Sequence, residues 1–493
     1  MDEVVQKSTG LVRRDEHVMF PRVQRFMTVV APLTSSAFAG APAGTPGTPM
    51  PNDVTVVIVG AGAAGLSAAR RLARAGVVCA VLEARDRVGG RAHTVRHRWV
   101  AHRGGTSDVG LDLGCGWLHS ADENVLADIA GRTGFTVDKT PPPWRNAAFG
   151  LGMTSVEQVA FGKAFDAFDA RVAEAARTVR LGGGSDGAAA DQFAPADSEE
   201  GRWNARMDAI SGALNGARFA QVSTLDYDAY RDTEVNWRVV EGYGTLVSAL
   251  APLAAPAVTV VTDCAVTRID RTGTRLALDT TRGRIEATAV ILTIPTSLIA
   301  TETIRIDPPL PALAEAAAGV PLGLASKLHM AVEHADDFPP DSQLWGRTDT
   351  AQTAGYHLRP FGRPMIEAYF GGDLAWGLEG EGEAAFFDFA AGELVSLLGS
   401  DIRRRIAPVA TSMWGTDPFS RGAYSHCLPG HGGDRARLKQ PIENRIFIAG
   451  EATAEAFYGT AHGAWMEGDR AAVEAIKALG IDPRVSGGYG DEA

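Results

Sequence analysis

Cysteine is scarce in this chain. The four in 493 residues, Cys79, Cys115, Cys264 and Cys427, form no C-x-x-C pair and no Cys/His cluster at zinc-ligand spacing. That excludes a disulfide scaffold and a zinc module, so reduced thiols and no metal are expected. No apolar run approaches the roughly 20 residues of a spanning helix, so no membrane span is expected. Basic residues are in the minority, 47 Lys and Arg against 59 Asp and Glu, and the net charge of −12 argues against nonspecific nucleic-acid binding and suits a cationic small molecule. Apolar residues, by contrast, make up 45% of the chain, enough at this length for two or three domains with substantial cores.

The first strong local pattern is "VVIVGAGAAGLSAARRLARAG", residues 56–76. The apolar run Thr55 to Val59 reads as a strand, Gly60-x-Gly62-x-x-Gly65 as a tight turn, and Leu66, Ala69, Leu72 and Ala73 fall at helical spacing. Gly60 permits the turn, Gly62 lets backbone approach a pyrophosphate, and Gly65 lets the helix lie close to the strand, with Ala64 in the same turn. Gly76 stops the helix. A second strand, Val77 to Leu82, ends at Glu83, where a carboxylate can accept both hydroxyls of an adenosine ribose and disfavours a 2′-phosphate. These residues point to NAD or FAD.

The next stretch, "LEARDRVGGRAHT" at 82–94, sets Arg85, Arg87 and Arg91 around Gly89 and Gly90, giving fixed positive charge beside a close backbone approach. Further on come "DLGCGWLHS" (112–120), "VVEGYGTLVSAL" (239–250), "AVILTIP" (289–295), "PLGLASKLHM" (321–330), "WGTDPFSRGAYS" (414–425) and "RIFIAGEATAEAFYGTAHGAWMEGDRAA" (445–472). In these stretches and their order the sequence resembles the flavin-containing amine oxidases, over about 53–478 with a poor match in the middle.

The fold class this implies is α/β: an FAD-binding, Rossmann-like doubly wound domain interleaved with an α+β substrate-binding domain. The expected division is a flexible leader at 1–52, an FAD domain from 53–134, 238–306 and 422–480, a substrate domain from 135–237 and 307–421, and a tail at 481–493. Residues 258–295 read as strands broken at Thr272-Gly273 and Arg282-Gly283. The segment "EQVAFGKAFDAFDARVAEAARTVR" reads as an amphipathic helix, and the low-complexity "LGGGSDGAAADQFAPADSEE" after it as a mobile loop.

In the last motif "RIFIAG" reads as a buried strand ending near Glu451, a candidate for the ribityl or pyrophosphate region. A helix begins near Thr460, and the N–H groups there and at Ala461 are candidates for the flavin O2. His462 reads as a packing residue. By resemblance, the backbone of Val266 faces the adenine, Gly116 and Trp117 lie along the isoalloxazine, and His119 points to the substrate. Lys327 matches the lysine that holds a water at flavin N5, although alternation alone leaves it free to face solvent. Tyr424 matches the first of two tyrosines flanking the amine in monoamine oxidases. Thr460 stands at the second position, so half of that cage is absent; Phe457 and Tyr458 are candidates for a replacement wall and equally for core packing. Ala423 occupies the place of the flavin-linking cysteine in some relatives, so non-covalent FAD is expected.

The activity the resemblance implies is hydride transfer from the α-carbon of a neutral amine to FAD, hydrolysis of the imine, and reoxidation by O2 to hydrogen peroxide. An amine bearing a second polar or cationic group is the expected substrate. Two other readings stay open: another flavin oxidoreductase, such as an amino-acid oxidase using Arg145 or Arg231 for a carboxylate or a desaturase, and a non-enzymatic flavoprotein that binds partners. Monomer and homodimer are both open. A cytoplasmic enzyme is expected, with export through a cleaved N-terminal leader as the alternative.

Overall fold

Five short apolar strands build the central layer of the computed structural model, which describes residues 48–51, 53–100, 106–145, 153–251 and 258–482. Most of the expected leader and the tail from 483 lie outside those residues. The strands Val56–Val59 (β1) and Cys79–Leu82 (β2) are joined by the helix Ala63–Arg74 (α1). They pair in parallel with Val258–Val261, Ala289–Leu292 and Ile446–Ile448, in the spatial order 446–448, 289–292, β1, β2, 258–261. A parallel sheet is covered on both faces, which is why these strands read as unbroken apolar runs. Val56, Ile58, Cys79 and Val81 enter one core with α1, while Val57, Val59, Ala80 and Leu82 enter the other.

The C-terminal helix Ala461–Ala478 lies against α1. Gly468 sets that approach, since a Cβ there would sit 2.0 Å from Ala64 O. Beyond the parallel sheet, Val266–Asp270, Leu276–Thr280, Gly283–Ala287 and Arg305–Asp307 form a four-stranded sheet whose hairpins close at the two expected turns. Of the stretch read as leader, Thr48 O accepts from Arg282 and Met50 packs on the core.

A second large sheet is antiparallel, in the order Ser342–Trp345, Gly355–Leu358, Met365–Gly371, Ala325–Val332, Ile406–Thr411. Its alternation divides the central strand: Leu328 and Met330 pack with Phe370, Phe386 and Leu394, whereas Lys327 and His329 face the other way. Lys327 pairs directly with Tyr369, and His329 with Glu367.

The expected amphipathic helix spans Ser155–Arg180 and opens with a capping box between Thr154 and Glu157. The low-complexity stretch after it is not the mobile loop its composition suggests. Asp186 accepts from Ser223 Oγ and from the backbone N–H groups of Gly430 and Gly432, and Phe193 packs on the rings of Phe168 and Phe219. Ala188 also pairs with Ser223 and Ala189 is buried in the same core, so a carboxylate, a ring and a short backbone pairing hold the segment.

Candidate active site

The glycine turn divides its labour. Gly60 has φ +106°, and a Cβ on it would lie 2.7 Å from Thr293 Oγ1. A Cβ on Gly65 would lie 1.9 Å from Gly60 O, so that glycine serves packing of helix on strand. At Gly62 the nearest atom to an added Cβ is Gly89 O at 4.0 Å, so Gly62 faces open space. Gly62 is also the N-cap of α1, with no side-chain cap and no acidic residue in the first turn. That leaves free N–H groups and the positive end of the helix dipole at the cavity wall.

The cavity beside this turn has a volume of about 1260 Å³. Its lining includes Gly60, Gly62, Ala64, Glu83, Arg85, Gly90, Arg91, Gly116, Trp117, His119, Val266, Lys327, Tyr424, Glu451, Thr460 and Ala461. These candidates from the sequence therefore border one space, whereas Gly65, Arg87, Arg231 and Phe457 do not line it. The volume exceeds a usual small-molecule pocket of up to about 1,000 Å³, leaving room for a dinucleotide and a substrate together.

Several charged groups at the cofactor end hold the protein together. Glu83, buried at the end of β2, accepts from Ala61 N (2.7 Å) and Arg85 N (2.9 Å). The sequence suggested a cluster of fixed positive charge here, yet Arg85 is spent on Asp417 (2.6 Å) and Ser420 (2.9 Å), and Arg87 on the carbonyls of Val88 and Gly90. Arg91 binds Ala423 O (2.6 Å) and Glu451 Oε1 (2.9 Å). Glu451 Oε2 accepts from Ser425 Oγ (2.6 Å) and Gly459 N (2.9 Å). Burial pushes the Glu451 carboxyl up, but the Arg91 charge and these donors hold it below the usual carboxylate range. Thr460 caps the C-terminal helix through Gly463 N (3.0 Å), leaving the first-turn N–H groups of Ala461 and His462 without intrahelical acceptors.

At the other end Lys327 is buried at 5% exposure, its Nζ 3.4 Å from Glu367 Oε1. A Cβ on Gly116 would sit 2.8 Å from that Nζ, so the ammonium lies against the Gly116 backbone. Burial alone would strip the charge from Lys327, but Glu367 and Asp112 outweigh it and raise its pKa. Burial likewise raises Glu367, but Lys327 and His329 bring it down to about 2. The pair is ionised at neutral pH. His119 is the converse: burial lowers its pKa, and Nδ1 contacts Asn236 Oδ1 at 2.6 Å, which makes Nδ1 the protonated nitrogen and Nε2 an acceptor. His462 packs on Phe457 and titrates at about 3, as a buried neutral ring.

The aromatic wall differs from expectation. Phe457 does not line the cavity, and Tyr458, which does, gives its hydroxyl to Asp226 O (3.0 Å) and its face to Arg435 (3.9 Å). The ring beside Tyr424 is Tyr369, with the two hydroxyl oxygens 3.1 Å apart. Tyr424 donates to Ala213 O, so Tyr369 is the donor between them. Tyr369 and Glu367 were missed in the sequence; their signal is the two polar positions in "MIEAYFG", spaced to share the face opposite Ile366, Ala368 and Phe370. Arg231 pairs with Glu123 on the surface and does not line the cavity, and the side chain of Arg145 lies outside the described residues.

Comparison with known proteins agrees with this geometry. The sequence model for flavin containing amine oxidoreductases matches residues 63–476. Polyamine oxidase 2 of Arabidopsis thaliana is 28% identical over 446 residues, covering 85% of this chain and 87% of its own. Polyamine oxidase 4 of Oryza sativa subsp. japonica is 27% identical over 465 residues, covering 86% and 89%. A solved structure of wild-type putrescine oxidase bound to putrescine superposes with a TM-score of 0.68 at 21% identity, covering 87% of this chain and 100% of that one. The chain belongs to the flavin-containing amine oxidoreductase family and is an FAD-dependent amine oxidase.

Proposed function

We infer that the substrate is an aliphatic amine carrying a second polar group some distance from the oxidised carbon, in preference to a small arylalkyl monoamine. The observation that carries this reading is the continuity of the cavity. The lining that holds Lys327, Tyr369 and Tyr424 also takes in residues of the helices Ser155–Arg180 and Asn204–Asn215 and exposed carboxylates at Asp166, Asp232 and Glu234. Such an acidic lining attracts cationic amines. The polyamine and putrescine oxidases named above are consistent with an amine of this kind.

FAD fits the cradle on the evidence of Gly62, the uncapped α1 N-terminus and the cavity volume, and when bound it supplies the two-electron oxidation of the C–N bond. The residues of this chain do the rest. Tyr369 and Tyr424 orient the amine between two neutral rings locked by their own hydrogen bonds, Lys327 presents an ammonium that can hold one water, and neutral His119 offers an acceptor at Nε2. Anaerobic mixing of the holoenzyme with spermidine, putrescine, benzylamine and phenethylamine tests the reading. Faster flavin bleaching by the first two is expected. A clear preference for the aryl amines would overturn the substrate class while leaving amine oxidation intact.

A further inference from the structure

The helix Asn204–Asn215 walls the cavity with Arg206, Ala209, Ile210 and Ala213, spaced i, i+3, i+4 and i+7 on one face. Its inner end is fixed beside the aromatic pair, because Ala213 O accepts the Tyr424 hydroxyl. Its outer end presents Arg206, two turns away, or about 10 Å along the axis. Between them the wall is apolar.

Arg206 is an unusual cation. It is 5% exposed, and its guanidinium is clamped between the ring of Phe161 (4.7 Å) and that of Trp345 (5.2 Å), from a second helix and from a strand of the antiparallel sheet. Nε has no hydrogen-bond partner, and among the described residues no carboxylate or carbonyl accepts from this side chain. The facing helix brings Asp166 and Asp169 to the same cavity, yet neither pairs with it: Asp166 is exposed and Asp169 accepts from Tyr227 (3.0 Å). Burial without a counter-ion lowers the Arg206 pKa to about 10, so it is still charged at neutral pH. A desolvated guanidinium without an acceptor is costly for the fold, and its planar fork matches a carboxylate.

We propose that Arg206 is a specificity-determining residue that binds a carboxylate at the far end of the amine substrate, separated from the oxidised carbon by a spacer about as long as three extended residues. This rests on the reading that the substrate has a second polar group, and it names that group as an anion. The spacer excludes α-amino acids, whose carboxylate adjoins the amine carbon. It also disfavours a diamine whose second ammonium reaches Arg206.

The test compares kcat/KM of the holoenzyme for ω-aminooctanoate, its primary amide, octylamine and octanediamine. The carboxylate is expected to exceed the amide and octylamine by about tenfold, the scale of a charge-assisted hydrogen bond. Arg206→Met should erase that preference through KM, leaving kcat and the octylamine value within about threefold, and Arg206→Lys should restore part of it. Calorimetry supplies a reading without turnover: octanoate should bind the wild type and not Arg206→Met. A wild-type preference for the diamine, amide or octylamine would overturn the proposal, even if the variants fail to fold. So would an equal loss on all substrates in Arg206→Met. If no amine in the panel reduced the flavin, the amine reading beneath the proposal would fail first.

Discussion

Replacing Lys327 by Met strands a buried carboxylate. Glu367 loses the ammonium 3.4 Å away and keeps, among the described residues, His329 Nδ1 at 3.6 Å and the weaker influence of His357. Removing one partner of a buried ion pair costs about 3–5 kcal/mol; the long contact and the cavity-facing Glu367, 17% exposed, place this case at the lower end, about 3 kcal/mol. Lys327→Met combined with Glu367→Gln removes the Glu367 charge and leaves only Asp112 without the ammonium, still held by Thr94 Oγ1 and the Tyr243 and Gly244 N–H groups, so it should cost only about 1 kcal/mol. The single variant is therefore predicted to be less stable than the double, by a few degrees in Tm for a chain of this size. The pH dependence follows from sign. Glu367 is held at about 2, so in the wild type its contribution is complete above the ordinary carboxylate range and is lost as pH falls through about 2. Without Lys327, burial raises the carboxyl instead, and protonation relieves the strain, so the gap between single and double variants should narrow as the pH is lowered toward the ordinary carboxylate range. Thermal unfolding of the holoenzymes across that range measures it. FAD content should stay normal, because Lys327 lies at Gly116 and away from the glycine turn, while stopped-flow should show flavin reduction or reoxidation slowed. A double variant no more stable than the single would refute the electrostatic account. Unchanged half-reactions at full FAD content would remove Lys327 from the reaction.

FAD should leave with the supernatant on acid precipitation: Ala423 has no thiol, and Cys115, which does line the cavity, is pushed up to about 12 by burial and is no nucleophile at neutral pH; a yellow pellet would contradict this. Gly62→Ala should fold normally and bind FAD more weakly, whereas Gly65→Ala, with its Cβ 1.9 Å from Gly60 O, should lower the Tm of the apoprotein as well. Equal apoprotein stability of the two would count against the packing role. Burial raises the Asp169 carboxyl to about 6, so it weakens the fold increasingly as pH rises from about 4 through 6. Asp169→Asn should therefore raise Tm at neutral pH and flatten its pH dependence over that interval, and an unchanged profile would refute the assignment.

The cofactor end was legible in the sequence because its signals are local. A strand, a glycine turn, a helix and a carboxylate lie within 28 residues, Val56 to Glu83, and each leaves a period or a residue type to read. The substrate end is assembled across the chain. Tyr369 meets Tyr424 because one antiparallel register sets Tyr369 opposite Lys327 and a second sets Tyr424 opposite Gly323, and sequence pattern does not give register between distant strands. Arg206 was passed over for the same reason: on its own helix it is an ordinary basic residue, and it becomes a buried cation only when Phe161 and Trp345 close over it. Arg85 carries a long-range partner as well. Its motif suggested fixed positive charge beside the glycine pair, and the sequence gives no sign that Asp417, more than three hundred residues on, pairs with the guanidinium while Arg85 still lines the cavity.

That last contact belongs to a wider pattern. The two ends of the match are bound at the cofactor cradle: Arg91 after the first turn reaches Glu451 of the last motif, and the same carboxylate gathers Ser425 and the Gly459 backbone. α1 and the C-terminal helix touch at Ala64 and Gly468, side by side. The cradle therefore exists only once residues near 60, 90, 425 and 450–460 are together, which requires every intervening segment to have been folded out of the way. A ligand that binds only this assembled form stabilises it by mass action. It follows that Arg91 and Glu451 should govern FAD retention and global stability together. Arg91→Met leaves the buried Glu451 without its hydrogen-bonded cation, so FAD affinity and the Tm of the apoprotein should both fall, whereas Gly62→Ala should lower FAD affinity and leave the apoprotein Tm unchanged; an unchanged apoprotein Tm in Arg91→Met would refute this.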